Sequence, residues 1–211
     1  MLVSLVSGVQ YEMSMRYAYM LLGIATLIVF VGAFVVFQRA GAPAQLIVIH
    51  NDTSSMSLTL TSSAFNEGER IPSRFTCDGE SVSPELRIRD VPEGTKSLVL
   101  LMDDPDIPES VKKTRGIEKF DHWVVYNIPA DTATIREGSV VGTEGVSSLG
   151  EVGYVGPCPP DREHRYRFRL YALSGVLDFA KAPTLDEVES ALTSMVLAST
   201  TLTGLYERVE R

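Results

Sequence analysis

The chain holds only two cysteines and three histidines in 211 residues, and neither kind is grouped. Cys77 and Cys158 lie far outside any C-x-x-C spacing, which excludes a zinc ribbon or a thioredoxin-like motif and leaves either a disulfide or two free thiols. No histidine belongs to an H-x-H or H-E-x-x-H pair. Positive charge is also scarce: 19 Lys and Arg stand against 27 Asp and Glu, a net charge of −8, which argues against a nucleic-acid partner. Internal repeats and low-complexity tracts are absent after residue 56.

Charge is missing altogether between Tyr17 and Phe37. As a helix this run would measure about 31 Å, against a bilayer core of about 30 Å. Tyr17 and Tyr19 at one end, and Phe34 and Phe37 at the other, suit the membrane interfaces. The run exceeds the apolar core of a cleavable signal peptide, although Ala40-Gly41-Ala42 offers a small-residue cleavage site, and no cysteine follows it for lipid attachment. The sequence therefore predicts an N-terminal tail over 1–16, with Met15 an alternative start, and an uncleaved transmembrane helix over 17–37. A linker over 38–55 follows, then one folded domain over 56–211. Arg16 and Arg39 flank the run almost symmetrically, so orientation rests on the short tail. The expectation is a single-pass protein of the cell membrane with its domain extracytoplasmic.

Within 56–211 strands dominate. Leu58 and Leu60 alternate with Thr59 and Thr61, and the apolar runs Ser97–Met102 and His122–Ile128 read as strands buried on both faces. From His164 onward, His164, Tyr166, Phe168 and Leu170 share one face of a strand while Arg165, Arg167 and Arg169 share the other, a solvated row. Residues 65–92, dense in Gly, Pro, Asp and Ser, read as a long structured loop. One helix is predicted, from a capping box of Thr184 and Glu187, with Leu185, Val188, Leu192 and Met195 on its apolar stripe.

Polar chemistry concentrates in three segments: Asp103-Asp104-Pro105-Asp106-Ile107-Pro108, Asp121-His122-Trp123, and Gly156-Pro157-Cys158-Pro159-Pro160 leading to His164-Arg165-Tyr166. An acidic loop at a strand end, with histidines opening two other strands, suits a pocket on a β scaffold. Two catalytic readings compete: a metal-dependent hydrolase using the Asp and His residues, and a Cys158 nucleophile activated by His164.

Leu98–Pro108 followed by His122, together with Gly156-Pro157 through His164-Arg165-Tyr166, resembles the two motifs of the phosphatidylethanolamine-binding protein family. Thr76-Cys77-Asp78-Gly79-Glu80, Ser83-Pro84-Glu85-Leu86 and Val124–Pro129 are similar to its bacterial and archaeal, Raf-kinase-inhibitor-like branch. The resemblance spans roughly residues 57–207. It implies a mainly β fold of two packed antiparallel sheets, and a pocket for a small anionic or phosphate-bearing ligand at Asp104, Asp106, His122, Gly156, Pro157, His164 and Tyr166. The expectation is a binding protein without cofactor, metal or catalysis; some members of the family inhibit kinases or proteases, which extends it to an inhibitor or modulator of an unidentified kinase or protease. Both cysteine segments approach the ligand site in such proteins, so a Cys77–Cys158 bridge would clamp the pocket rim. Arg162 departs from the family pattern, where a glycine is usual. In that pocket Asp104 or Asp106 would orient and charge His122, while backbone N–H groups and the Tyr166 hydroxyl meet the anion.

Overall fold

The computed structural model describes residues 57–208. Eight strands and two helices follow in the order β1 (Thr59–Ser62), β2 (Leu86–Arg89), β3 (Ser97–Asp104), α1 (Glu109–Arg115), β4 (Phe120–Pro129), β5 (Thr134–Ile135), β6 (Thr143–Glu144), β7 (His164–Leu173), α2 (Leu185–Leu192) and β8 (Val196–Tyr206). They form a three-stranded sheet, β1-β2-β5, and a five-stranded sheet, β6-β4-β3-β7-β8, with every strand pair antiparallel.

The apolar runs explain the layering. All eight residues of β3 are buried, because side chains alternate between two separate cores. Leu98, Leu100 and Met102 join Trp123, Val125 and Phe168 and meet Leu60, Leu86 and Ile88 of the small sheet. Val99 and Leu101 join Val124 and Tyr126 on the other face, where Leu185, Val188 and Leu192 of α2 cover them. Each such leucine contributes about 1.5–3 kcal/mol by leaving water. The α2 helix begins at the predicted capping box: the Glu187 backbone N–H donates to Thr184 Oγ1 at 3.2 Å, and the Thr184 backbone N–H donates to Glu187 Oε2 at 2.8 Å. It ends at Leu192, so Met195 lies beyond it.

Several expectations change. Residues 65–92 are not wholly loop: they contain a 3-10 turn, Ser73–Phe75, and strand β2, whose Leu86 and Ile88 face the core between exposed Arg87 and Arg89. The α1 helix was not foreseen. The membrane expectation is also corrected. Among the described residues no helix is long and apolar enough to cross a bilayer, since α1 and α2 have 7 and 8 residues and reach only about 12 Å. Residues 17–37 lie outside the described residues, so the transmembrane helix and the extracytoplasmic placement have no counterpart here and are withdrawn.

Candidate functional site

At the end of β3 the chain turns through Asp104-Pro105-Asp106, held by the Asp106 backbone N–H donating to Asp104 Oδ1 at 2.8 Å. The α1 helix follows, and β4 on one side of β3 and β7 on the other bring His122 and Tyr166 to the same end of the sheet. Together with the loop through Val155, Gly156 and Cys158 they enclose a pocket of about 320 Å³, which Asp104, His122, Gly156 and Tyr166 all line. Asp106, Pro157 and His164 do not line it.

His122 is 4% exposed. Its Nδ1 lies 2.7 Å from the Val155 carbonyl oxygen, which only accepts, so Nδ1 carries the proton and Nε2 keeps a lone pair. Phe120 and Tyr166 pack on the ring at centroid distances of 4.8 Å and 5.2 Å. Burial pushes the pKa of His122 down to about 4, so the ring is neutral at pH 7. The expectation that Asp104 or Asp106 would orient and charge His122 fails for a geometric reason: both carboxylates bond elsewhere.

Asp104 Oδ2 accepts from His164 Nδ1 at 2.7 Å. Burial raises the pKa of Asp104, partly offset by that hydrogen bond. Asp161 Oδ1 lies 2.8 Å from the other nitrogen of His164, Nε2. The ring is fully buried between these carboxylates, both of which ask it to donate. Asp106 turns outward, where Arg165 Nε and Nη2 bind it at 2.8 Å and 2.7 Å and hold its carboxyl down at about 2.

Tyr166 is fully buried, and among the described residues its hydroxyl finds no acceptor, while the Cys158 backbone N–H faces its oxygen. Burial raises its pKa, so it remains a phenol that can donate.

The rim is tied to the 73–81 segment. Tyr154 donates to the Phe75 carbonyl at 2.8 Å, the Cys77 N–H donates to the Pro157 carbonyl at 3.0 Å, and the Gly156 N–H donates to Ser81 Oγ at 3.1 Å. A Cβ on Gly156 would sit 2.6 Å from that Oγ and 3.0 Å from the Phe75 carbonyl oxygen, so only glycine lets the two segments close. Cys77 and Cys158 form a disulfide with Cα atoms 5.4 Å apart. Cys158 therefore has no free thiol to act as a nucleophile. Among the described residues no group of three His, Cys, Asp or Glu could hold a metal, which leaves the metal-dependent hydrolase without geometric support.

The arginine row is not simply solvated. On the face of the large sheet opposite the pocket, Asp103 is fully buried and bound by Arg167 Nε at 2.7 Å and by Arg169, which also meets Glu189. Sequence reasoning also missed Arg115 and Phe120, which line the pocket. Their place shows only once α1 is known to end at Arg115, which sets that guanidinium 5.9 Å from the Phe120 ring.

Residues 61–207 match the phosphatidylethanolamine-binding protein family. A UPF0098 protein of Methanothermobacter thermautotrophicus is 44% identical over 161 residues, and one of Chlamydia trachomatis is 40% identical over 152 residues. Each match covers 72% of this chain and 99% of the relative. The crystal structure of a phosphatidylethanolamine-binding protein homolog, CT736 from Chlamydia trachomatis, superposes with a TM-score of 0.69 at 39% identity, covering 72% of this chain and 99% of its own. Escherichia coli YbcL, described as a new member of the mammalian family, superposes at 0.65 with 27% identity and the same coverage. On both sequence and fold, the chain belongs to the phosphatidylethanolamine-binding protein family.

Proposed function

We propose that the protein is a binding protein, not an enzyme, whose pocket takes a small anionic, phosphate-bearing ligand. The observation that carries this reading is the Tyr166 hydroxyl, buried at the pocket wall with no acceptor for its proton among the described residues. An unpaired buried hydroxyl costs about 1–3 kcal/mol, and a hydrogen bond to a charged acceptor is the stronger kind that offsets it. Neutral His122 complements it. Its Nε2 lone pair accepts from the P–OH of a hydrogen phosphate, and Asp104 is occupied through Oδ2 by the His164 ring. The family name points the same way, since phosphatidylethanolamine carries a phosphate. The other polar groups around the site hold one another, as His164 does with Asp104 and Asp161, and this suits a rigid receptor better than a proton-transfer relay.

The pH dependence follows by linkage. Free His122 titrates near 4, and a bound anion raises that value. Affinity is therefore highest at low pH, falls as pH rises through the pKa of the liganded histidine, and is flat above it. Calorimetric titration of inorganic phosphate into the full-length protein between pH 5.5 and 8 tests the reading. We expect saturable binding that weakens about tenfold or more in Tyr166→Phe, which removes one hydrogen bond to a charged group. Absence of phosphate binding, or an unchanged affinity in Tyr166→Phe, would refute it.

A further inference from the structure

An anion needs positive charge, and the groups first expected to supply it do not. His122 is neutral, and both nitrogens of His164 are taken by carboxylates. Three cations on neighbouring elements are paired: Lys112 with Glu109 at 2.9 Å, Lys119 with Glu189 at 2.6 Å, and Arg165 with Asp106 at 2.7 Å. Among the described residues lining the pocket, only Arg115 carries a permanent positive charge.

Arg115 is the last residue of α1, set there by Gly116, whose left-handed φ of 66° closes the helix. No described carboxylate pairs with it. Its guanidinium rests 5.9 Å above the Phe120 ring, and Nη1 reaches the Ser148 carbonyl only at 3.3 Å. At an exposed site these are weak contacts, readily exchanged for a charge-assisted bond to an oxyanion. Phe120 in turn packs on His122, so the cation sits on the aromatic stack that leads into the pocket.

The wall beside Arg115 is apolar. Ile107, Val111 and Leu149 line it, and Leu149 is left 48% exposed. Inorganic phosphate would leave this surface uncovered.

Deepening the phosphate-pocket reading on which it rests, we infer that Arg115 is the anion-holding residue of this pocket. The ligand is an organic phosphate whose apolar body lies along Ile107, Val111 and Leu149. The guanidinium leaves the Phe120 face to meet the phosphate oxygens, Tyr166 donates from below, and the aliphatic wall selects for the substituent. Arg115 thus sets the affinity for the phosphate while the wall sets the preference among substituents, and its solvent-facing position leaves the core untouched when it is replaced.

Calorimetric titration of methyl phosphate and butyl phosphate into the full-length protein tests this. Wild type should prefer butyl phosphate by about fourfold for each methylene buried. Arg115→Gln should weaken both ligands at least tenfold without changing Tm, with partial recovery in Arg115→Lys. Val111→Ser should lower the ratio of butyl to methyl phosphate affinity. If wild type binds both ligands and Arg115→Gln binds them equally well, or butyl and methyl phosphate bind alike, the inference falls while the phosphate pocket stands. If wild type binds neither, both fall together.

Discussion

One position separates His122 from Asp121 on β4, and strand alternation sends them to opposite faces. On the outer face Asp121 Oδ1 is buried without a partner, and burial pushes its pKa up to about 7 despite the opposing charge of Lys119. A raised carboxyl pKa means that the native state holds the proton more tightly than the unfolded chain. The stability it contributes is complete below about pH 4, and is lost as pH rises through about 7. Asp121→Asn removes that loss. Urea unfolding should find the variant more stable than wild type at pH 8 by roughly 1–2 kcal/mol, after discounting for partial exposure, and no different at pH 4. Equal stability at pH 8 would contradict the argument. At this scale the sequence named the right neighbourhood but not the partners. Asp104 and Asp106 stand two residues apart in one acidic loop, yet the turn aims one inward at His164 and the other outward at Arg165. No pattern in the letters encodes that choice, because a turn, not a periodic strand, sets it.

The elements were legible where periodicity and capping agree. Thr184 and Glu187 announced α2, and the apolar runs announced β3 and β4. By contrast, α1 buries none of its seven residues and starts at Pro108 without a side-chain cap, so neither a stripe nor a capping box marks it. Strand β2 alternates Leu-Arg-Ile-Arg for only four residues among prolines, glycines and serines, too short a signal to stand out. The Cys77–Cys158 bridge joins the segment after the 3-10 turn to the loop that enters β7, across a sequence separation of 81. Closing a loop of that length stabilises by up to about 4 kcal/mol in the chain-entropy model. Cys77→Ser/Cys158→Ser, or wild type in reductant, should therefore unfold at a lower urea concentration than the oxidised protein. An unchanged midpoint in both would show that the hydrogen bonds around Gly156 suffice to hold the rim.

At the scale of the whole molecule, composition and alternation marked the described part as mainly β. The family resemblance supplied two packed antiparallel sheets, but which strands neighbour which was not legible, since contacts between distant strands leave no local trace. The order β4-β3-β7 puts the central strand beside one partner that follows it closely and another that arrives only after the whole pocket-forming segment. Ser97 pairs with Leu173, and Asp103 with Arg167. The large sheet therefore cannot assemble by local steps alone, because chain entropy is spent on closure before the β3–β7 contacts return it. Refolding of the full-length protein, followed by Trp123 fluorescence after stopped-flow dilution from urea, should fall in the millisecond-to-second range of non-local β proteins. A microsecond phase carrying the full amplitude would contradict this. The pocket walls come from both partners of β3, so ligand binding is among the last properties the nascent chain acquires.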